Sequence, residues 1–315
     1  MFYADWKFEL AQNPKLFAVL SQLWGATYAG SNHGGNDDDA GLFKHPHGEF
    51  NPQEGYFYLD RVGYRVPEEI SQLHSTGSRS KPKPLQRSLT PHLDCCAKDL
   101  YGNMQNIEEK LRRWRPIQAF VALTPNHEAN TGGFEAVPGF HREFEQHFGG
   151  GGSGAGQASE GERRKELADP EIQRICIGEF SPLVPKFDQT VLERFEHIGY
   201  GAGSLVCWDW RTPHANAQQN TGRASLPFSP SFPVNERCFR LLPGKTPREV
   251  VYTGFLPSVA VNKRFAEGQL ASYRQGMLPN HVWHHHKYSD GPQEGLTFQF
   301  SELGRKLMSI EPWIL

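Results

Sequence analysis

The sequence predicts a mainly β protein with helices near its two ends. Short apolar runs lie between clusters of glycine, proline and asparagine, which is the pattern of strands joined by turns. The 315 residues include 32 glycines and 23 prolines, a turn-rich composition that argues against a helical bundle. With 21 Phe, 10 Tyr and 7 Trp, the chain also has enough large apolar side chains to form a packed core.

The first helix is predicted over residues 14–24. Asn13-Pro14 combines an N-cap residue with proline at the first helical position, where proline is tolerated. The apolar residues that follow share one helical face and are Leu16, Phe17, Leu20, Leu23 and Trp24. Near the other end of the chain, Asn262–Gln275 is predicted to be a helix with Asn262 as its cap.

Strands are predicted where short apolar runs are bounded by turn-forming residues. These runs are Tyr56–Val62, Ile117–Leu123, Phe134–Val137, Leu205–Trp210 and Arg237–Leu242. The glycine-rich residues 30–55 and the polar connector Ser75–Pro84 are predicted to be loops. The low-complexity segment Gly149–Gly161 lies between predicted strands, so it indicates a flexible insertion near 149–165 rather than a domain boundary.

Charge and composition argue against several classes of protein. The 33 basic and 35 acidic residues give a net charge of -2, so no strong positive field favours nucleic acid as a partner. No apolar run approaches the roughly 18 residues of a membrane span, and the N-terminus lacks a signal-peptide pattern. Five cysteines, two of them adjacent at Cys95–Cys96, argue against a disulfide framework. We therefore expect a cytoplasmic protein with no membrane partner.

Pro91-His92-Leu93-Asp94 is the sharpest candidate for a metal site. Residues two apart on an extended segment point to the same face, so His92 and Asp94 can grip one ion together. One further histidine completes the two-His-one-carboxylate triad of non-haem Fe(II) oxygenases, and His214, just after a predicted strand, is the best candidate. Alone, a His-x-Asp pattern is weak, because 14 histidines and 35 acidic residues make chance matches common.

Arg223 lies nine residues beyond His214, within Asn220-Thr-Gly-Arg. A fixed guanidinium there could bind a dicarboxylate cosubstrate, which a lysine point charge does less selectively. Taken singly, His214 and Arg223 are more simply explained as surface residues of a polar loop. If the strand register differs, Arg237 or Arg240 on the next predicted strand could bind the cosubstrate instead.

The segment between these residues adds a family resemblance. The predicted strand Arg115–Thr124 is followed by the loop Asn130-Thr-Gly-Gly133 and by Phe134–His141. With the His-x-Asp pattern before it and a histidine and an arginine after it, this order resembles the phytanoyl-CoA dioxygenase family of Fe(II)- and 2-oxoglutarate-dependent oxygenases. The turn Pro138-Gly139-Phe140-His141 departs from the family by placing Phe where Ser is usual. The resemblance covers roughly residues 85–240.

The resemblance implies a double-stranded β-helix, the jelly roll shared with cupins, within a single oxygenase domain over 1–315. Residues 85–240 would form its core, with 1–84 as an N-terminal helical and loop region packing on the barrel. Residues 241–315 would be a C-terminal helical and loop extension. Within that extension, the segment His281–His286 is rich in imidazole and is either a polar surface segment or a substrate-facing lid.

The same resemblance implies roles for six residues. The iron ligands would be His92, Asp94 and His214. Arg223 would pair with the distal carboxylate of 2-oxoglutarate. Gln118 and Phe120, which share one face of a predicted strand, would line the cosubstrate pocket, although ordinary core packing accounts for Phe120 equally well.

The implied activity is hydroxylation of a C–H bond of a small organic substrate with dioxygen, with succinate and carbon dioxide as coproducts. One alternative is a related oxygenase that acts on a nucleobase or a protein side chain. Another is a non-catalytic barrel that binds a metal or ligand without turnover. Formation of succinate from 2-oxoglutarate with Fe(II) distinguishes the enzyme from the binding protein.

Overall fold

A computed structural model of the chain describes residues 2–28, 47, 49–67, 90–95, 113–148, 181–217, 247–277, 279 and 298–313. Over these ranges the fold is mainly β, with antiparallel sheets and flanking helices in a jelly-roll-like arrangement. The predicted fold class is therefore confirmed, although the strands in these ranges form separate sheets rather than one closed barrel. No helix within the described ranges is long and apolar enough to cross a membrane.

Helices flank the sheets at both ends of the chain. In order they are α1 (Asp5–Ala11), α2 (Pro14–Thr27), α3 (Phe144–Phe148), α4 (Pro185–Leu192), α5 (Ala260–Arg274) and α6 (Glu302–Leu307), with a 3-10 turn at Phe140–Arg142. The predicted first helix is confirmed as α2, where the Asn13 side chain accepts a hydrogen bond from the Lys15 amide at 3.0 Å. Its buried face carries Leu20 and Trp24 and packs against the β-sheet core.

Strands in the described ranges belong to three antiparallel sheets. In order they are β1 (Gly55–Tyr58), β2 (Val62–Arg65), β3 (His92–Leu93), β4 (Ile117–Ala122), β5 (Phe134–Ala136), β6 (Ser181–Pro182), β7 (Glu196–His197), β8 (Leu205–Asp209), β9 (His214–Asn216), β10 (Arg248–Tyr252) and β11 (Gly254–Pro257). The sheet orders are β2-β10-β4-β8, β6-β3-β9-β5-β7 and the pair β1-β11.

The chain winds back and forth between the two larger sheets. Among the described strands, the run β3 to β5 and the run β7 to β10 alternate between these two sheets, whereas β5, β6 and β7 all belong to the five-stranded sheet. Because β2 and β10 belong to one of these sheets, it contains strands from both sides of the segment 85–240. Apolar side chains fill the space between the sheets, with Phe120 from one sheet packed on Phe134 from the other.

Two predicted elements differ in detail from the structure. Tyr56–Val62 is not one strand, because the chain leaves β1 after Tyr58 and enters a different sheet at β2. At the break, the Leu59 amide donates to the side-chain oxygen of Gln269 in α5 rather than to a neighbouring strand. The helix near the C-terminus is confirmed, but Val259 occupies its N-cap and Asn262 lies inside it.

Several predictions fall outside the residues that the structure describes. They concern the strand Arg237–Leu242, the connector Ser75–Pro84, the insertion near 149–165 and the histidine-rich His281–His286. Most of the predicted loop at 30–55 is outside them as well.

Asn262 is a tertiary hydrogen-bonding residue, and replacing it should destabilise the fold. Its fully buried side chain accepts from the Trp114 amide at 2.7 Å and donates to the carbonyls of Trp114 and Pro257 at 2.8 and 2.9 Å. Asn262→Ala leaves these buried backbone groups without hydrogen-bond partners, so we expect the free energy of unfolding to fall by about 3 kcal/mol. Chemical denaturation measures the free energy of unfolding. The control is Asn13→Ala at the exposed helix cap, which should cost about 1 kcal/mol. Equal costs for the two variants would contradict this assignment.

Candidate metal centre

Two neighbouring strands bring the predicted histidines together. In the antiparallel pair β3–β9, His92 and His214 are direct partners, and their ring centroids lie 4.4 Å apart. Asp94 follows β3 at the same two-residue spacing that places it on the face of His92. His214 therefore meets His92 and Asp94, which are about 120 residues away in sequence, on two adjacent inner strands of the five-stranded sheet.

The three side chains have the spacing of a metal site. His92 Nε2 lies 3.5 Å from Asp94 Oδ1, and His214 Nε2 lies 3.7 Å from Asp94 Oδ2. One ligand atom from each residue can be chosen so that all three lie within 4.8 Å of one another. Ligands about 2.1 Å from a shared ion lie about 3 Å apart at right angles, so only a small inward movement is needed.

Backbone carbonyls fix the orientation of both imidazoles. His92 Nδ1 lies 2.7 Å from the Thr90 carbonyl oxygen, and His214 Nδ1 lies 2.9 Å from that of Thr212. A carbonyl oxygen only accepts, so each Nδ1 carries the proton and donates. The lone pair of each Nε2 is then directed toward Asp94, as a metal-binding histidine requires.

The protonation states also suit a cation. Burial lowers the pKa of His214 to about 4, and the proximity of His92 adds to this effect, so the His214 ring is neutral at pH 7. Burial alone would raise the pKa of the Asp94 carboxyl. The proximity of His92, His214 and Arg115 outweighs it and holds this pKa well below its usual value. A neutral imidazole and a carboxylate are the forms that bind metal without first losing a proton.

An ion pair fixes the turn that carries His214. The Arg211 guanidinium donates to both carboxylate oxygens of Asp209 at 2.8 Å, and the Tyr28 hydroxyl donates to the same carboxylate. Arg211 also donates to the Tyr28 oxygen at 3.2 Å. Because Tyr28 directly follows α2, these bonds tie the β8–β9 turn, and with it Thr212, to the N-terminal helices.

The predicted pocket residues Gln118 and Phe120 lie on β4 and face the space between the sheets. Phe120 is fully buried against Phe134 and Trp208, and Gln118 shares its face through the strand alternation. The Nε2 atom of Gln118 and the indole Nε1 of Trp208 are buried, and neither has a hydrogen-bond partner in the described parts of the chain. Whether Gln118 and Phe120 contact a cosubstrate stays a prediction.

Arg248 was not singled out by the sequence analysis. It is the first residue of β10, and its side chain lies between the two larger sheets. It is 3% exposed, its Nε donates to the Tyr200 hydroxyl at 2.8 Å, and its guanidinium lies 5.2 Å from the centre of the Phe120 ring. Although burial lowers the pKa of Arg248, the neighbouring Tyr252 and Tyr200 raise it above its usual value, so the side chain is cationic. Its second terminal nitrogen has no partner, and no carboxylate pairs with it within the described ranges.

Aromatic rings connect the triad to this buried cation. Ring centroids lie 5.2 Å apart between His214 and Trp208, 4.8 Å between Trp208 and Phe134, and 5.6 Å between Phe134 and Phe120. Arg248 lies over the last of these rings. A continuous set of ring contacts between the two sheets therefore links the candidate metal centre to the guanidinium of Arg248.

Arg223, predicted to bind 2-oxoglutarate, lies outside the described residues, as do the alternatives Arg237 and Arg240. No sequence signal distinguished Arg248, since it lies 34 residues after His214 rather than about ten. Its burial and its contacts with Tyr200 and Phe120 show that it reaches the interior.

Comparison with known proteins shows a shared fold. No protein-family profile matches the chain, and no curated protein matches it. GIG2 (GlcNAc Inducible Gene 2, DUF1479) of Candida albicans superposes with a TM-score of 0.63 and 13% identity, over 99% of this chain and 66% of that one. The hypothetical protein JW0805 of Escherichia coli superposes with a TM-score of 0.56 and 15% identity, over 96% of this chain and 66% of that one.

A protein of Salmonella typhimurium LT2, provisionally named an oxidoreductase, has a similar fold. It gives a TM-score of 0.51 and 14% identity over 96% of this chain and 65% of its own. The present chain thus spans about two thirds of the length of these structures. At such low identity, the similarity concerns the fold alone.

Proposed function

We propose that this chain is a non-haem Fe(II)- and 2-oxoglutarate-dependent dioxygenase that hydroxylates a C–H bond of a small organic substrate. One observation carries the proposal: ring contacts link the triad of His92, Asp94 and His214 to the buried cation of Arg248, which pairs with no carboxylate among the described residues. The provisional oxidoreductase name of the Salmonella protein and the resemblance to the phytanoyl-CoA dioxygenase family point to the same class.

The donor set favours iron(II). Two imidazoles and one carboxylate supply three ligands, which suits non-haem iron(II) and some catalytic zinc sites, whereas structural zinc sites usually use four side chains. Three ligands of this composition are typical of non-haem iron(II) oxygenases and leave positions for other molecules. When bound, iron(II) with dioxygen and a 2-oxo acid supplies the oxidation of a C–H bond to an alcohol, with succinate and carbon dioxide as coproducts from 2-oxoglutarate.

The donors between the sheets favour an anionic cosubstrate. Gln118 Nε2, Trp208 Nε1 and a terminal nitrogen of Arg248 are buried donors without an acceptor in the parts of the chain described. A buried guanidinium is costly unless an anion pairs with it. We infer that a dicarboxylate such as 2-oxoglutarate binds with its distal carboxylate on Arg248 and its other end at the triad. This assigns to Arg248 the role that the sequence predicts for Arg223.

The remaining residues around the site orient groups and exclude water. The carbonyls of Thr90 and Thr212 keep the proton on each Nδ1, so that both Nε2 atoms remain available as ligands. Phe120, Phe134 and Trp208 pack between the sheets and make the surroundings of the Arg248 guanidinium largely apolar. In such a space the charge of Arg248 acts on a bound anion with little screening.

The test is conversion of 2-oxoglutarate to succinate by the purified protein with Fe(II) under air. We expect iron-dependent succinate above the level without protein, and a further increase when a suitable substrate is supplied. Asp94→Ala is the matched control and should reduce succinate to background. If the wild-type protein binds iron but neither binds nor converts 2-oxoglutarate, the proposed activity is wrong and a metal-binding protein without turnover remains.

A further inference from the structure

Arg115 is a cation in direct contact with the carboxylate of the candidate metal centre. It lies just before β4, and its side chain is only 15% exposed. One terminal nitrogen lies 3.4 Å from Asp94 Oδ2, within reach of a charge-assisted hydrogen bond. The function proposed above gives Arg115 no role, although Arg115 contacts the triad directly and Arg248 is linked to it only through aromatic rings.

The opposite side of this guanidinium is fixed by two other residues. Its other terminal nitrogen donates to Asp60 Oδ2 at 2.9 Å, and its central carbon lies 4.5 Å from the centre of the Tyr58 ring. Tyr58 in turn stacks on Phe265 of α5, and the Asp60 carbonyl accepts a hydrogen bond from the buried Lys7. These contacts with Asp60 and Tyr58 fix the Arg115 guanidinium in an orientation that directs its other terminal nitrogen at Asp94.

The two oxygens of Asp94 have different surroundings. Oδ1 lies 3.5 Å from His92 Nε2, whereas Oδ2 lies near both Arg115 and, at 3.7 Å, His214 Nε2. We propose that Arg115 is a positioning residue that engages Oδ2, so that Asp94 binds the metal through Oδ1 alone. This inference rests on the proposed function, because it concerns the same metal ion.

The number of carboxylate oxygens on the metal matters for the cosubstrate. A carboxylate can bind a divalent ion through one oxygen or through both. With two imidazoles, a carboxylate bound through one oxygen leaves three of six octahedral positions open, and one bound through both leaves two. By holding Oδ2, Arg115 keeps Asp94 from competing with a 2-oxo acid for a position.

This role predicts opposite behaviour of metal and cosubstrate in Arg115→Met. The variant loses a positive charge close to the metal, and Asp94 becomes free to bind through both oxygens. Neither change weakens metal binding, so we expect the Co(II) dissociation constant to stay within about threefold of wild type or to tighten. Binding of N-oxalylglycine, an unreactive 2-oxo acid analogue, to the Co(II) protein should weaken by about tenfold or more.

The experiment is a Co(II) titration followed by an N-oxalylglycine titration, both monitored by the visible absorption of Co(II). In Arg115→Met the Co(II) spectrum should differ from wild type before any analogue is added, because the carboxylate coordination has changed. Asp60→Asn should give a smaller change in the same direction, since it loosens Arg115 without removing it. Arg115→Lys, which keeps one charged donor, should recover part of the analogue affinity. These two milder variants keep the test valid if Arg115→Met folds poorly.

Arg194→Met is the matched control. It also removes an arginine paired with a carboxylate, Glu143, but on the exposed surface. It should change neither titration.

Two outcomes would overturn the inference. One is a tenfold weaker Co(II) affinity in Arg115→Met with unchanged analogue affinity, which indicates only structural support of the site. The other is no change in affinity or spectrum. If wild type binds Co(II) but not N-oxalylglycine, the proposed cosubstrate is wrong. The Co(II) spectra then decide the inference alone, and identical spectra for wild type and Arg115→Met refute it.

Discussion

Replacing Asp94 by alanine is expected to abolish succinate formation and to weaken Fe(II) binding by about a hundredfold or more. Changes to residues that only orient a ligand typically cost ten- to a hundredfold in metal affinity or in activity, so loss of the carboxylate itself should cost at least as much. His92→Ala and His214→Ala should behave alike, because each leaves only two of the three ligands. Fe(II) affinity, measured anaerobically by competition with a coloured chelator, checks the expectation independently of turnover.

Two further variants sharpen this test. Asp94→Glu keeps the charge but moves the oxygen by about one C–C bond, so a severe loss of turnover is expected. His141→Ala removes a histidine of the Phe140–Arg142 turn, outside the triad, and should keep wild-type Fe(II) affinity. Wild-type affinity in Asp94→Ala, or loss of affinity in His141→Ala, would show that the metal centre is misassigned.

The triad was predictable because each part of it depends on local rules. A two-residue spacing on an extended segment places His92 and Asp94 on one face, whatever the rest of the fold. His214 lies just after the apolar run Leu205–Trp210, so its place beyond a strand end was predictable, but that it begins a further strand, β9, was not predicted. The sequence could not show that β3 and β9 pair in the register that sets His92 opposite His214. The resemblance to known oxygenases supplied that step.

Other features depend on tertiary contacts that leave no local pattern. Asn262 is a residue type that favours helix caps, yet it lies within the first turn of α5, where its side chain bonds to the backbone of Trp114. The break between β1 and β2 depends on Gln269, which is more than 200 residues away in sequence. Arg115 was visible only as the start of a predicted strand, because its contacts with Asp60 and Asp94 join three separate segments.

Arg248→Ala is expected to raise the KM for 2-oxoglutarate by about ten- to a hundredfold while Fe(II) affinity stays within about threefold. A hydrogen bond to a charged group contributes about 1.5–3 kcal/mol, and each 1.4 kcal/mol is a factor of ten. Arg248→Lys should recover only part of the loss, since an ammonium cannot form two parallel hydrogen bonds with a carboxylate. The measurement is a 2-oxoglutarate titration of succinate formation, with direct binding to the Fe(II) protein under anaerobic conditions.

Comparison with the other arginines decides where the cosubstrate binds. Tyr200→Phe removes the hydroxyl that accepts from Arg248 Nε but keeps the guanidinium, so it should change the KM by only a few fold. Arg223→Ala should titrate like wild type if Arg248 is the anchor, because one buried cation suffices for one distal carboxylate. The reverse result, a raised KM in Arg223→Ala with an unchanged KM in Arg248→Ala, would return the role to the residue that the sequence predicts.

If neither variant alters the titration and Arg237→Ala and Arg240→Ala are also unchanged, the distal carboxylate has no arginine partner among these candidates. Because that carboxylate distinguishes 2-oxoglutarate from shorter 2-oxo acids, such a result would argue against 2-oxoglutarate as the cosubstrate while leaving the metal centre intact.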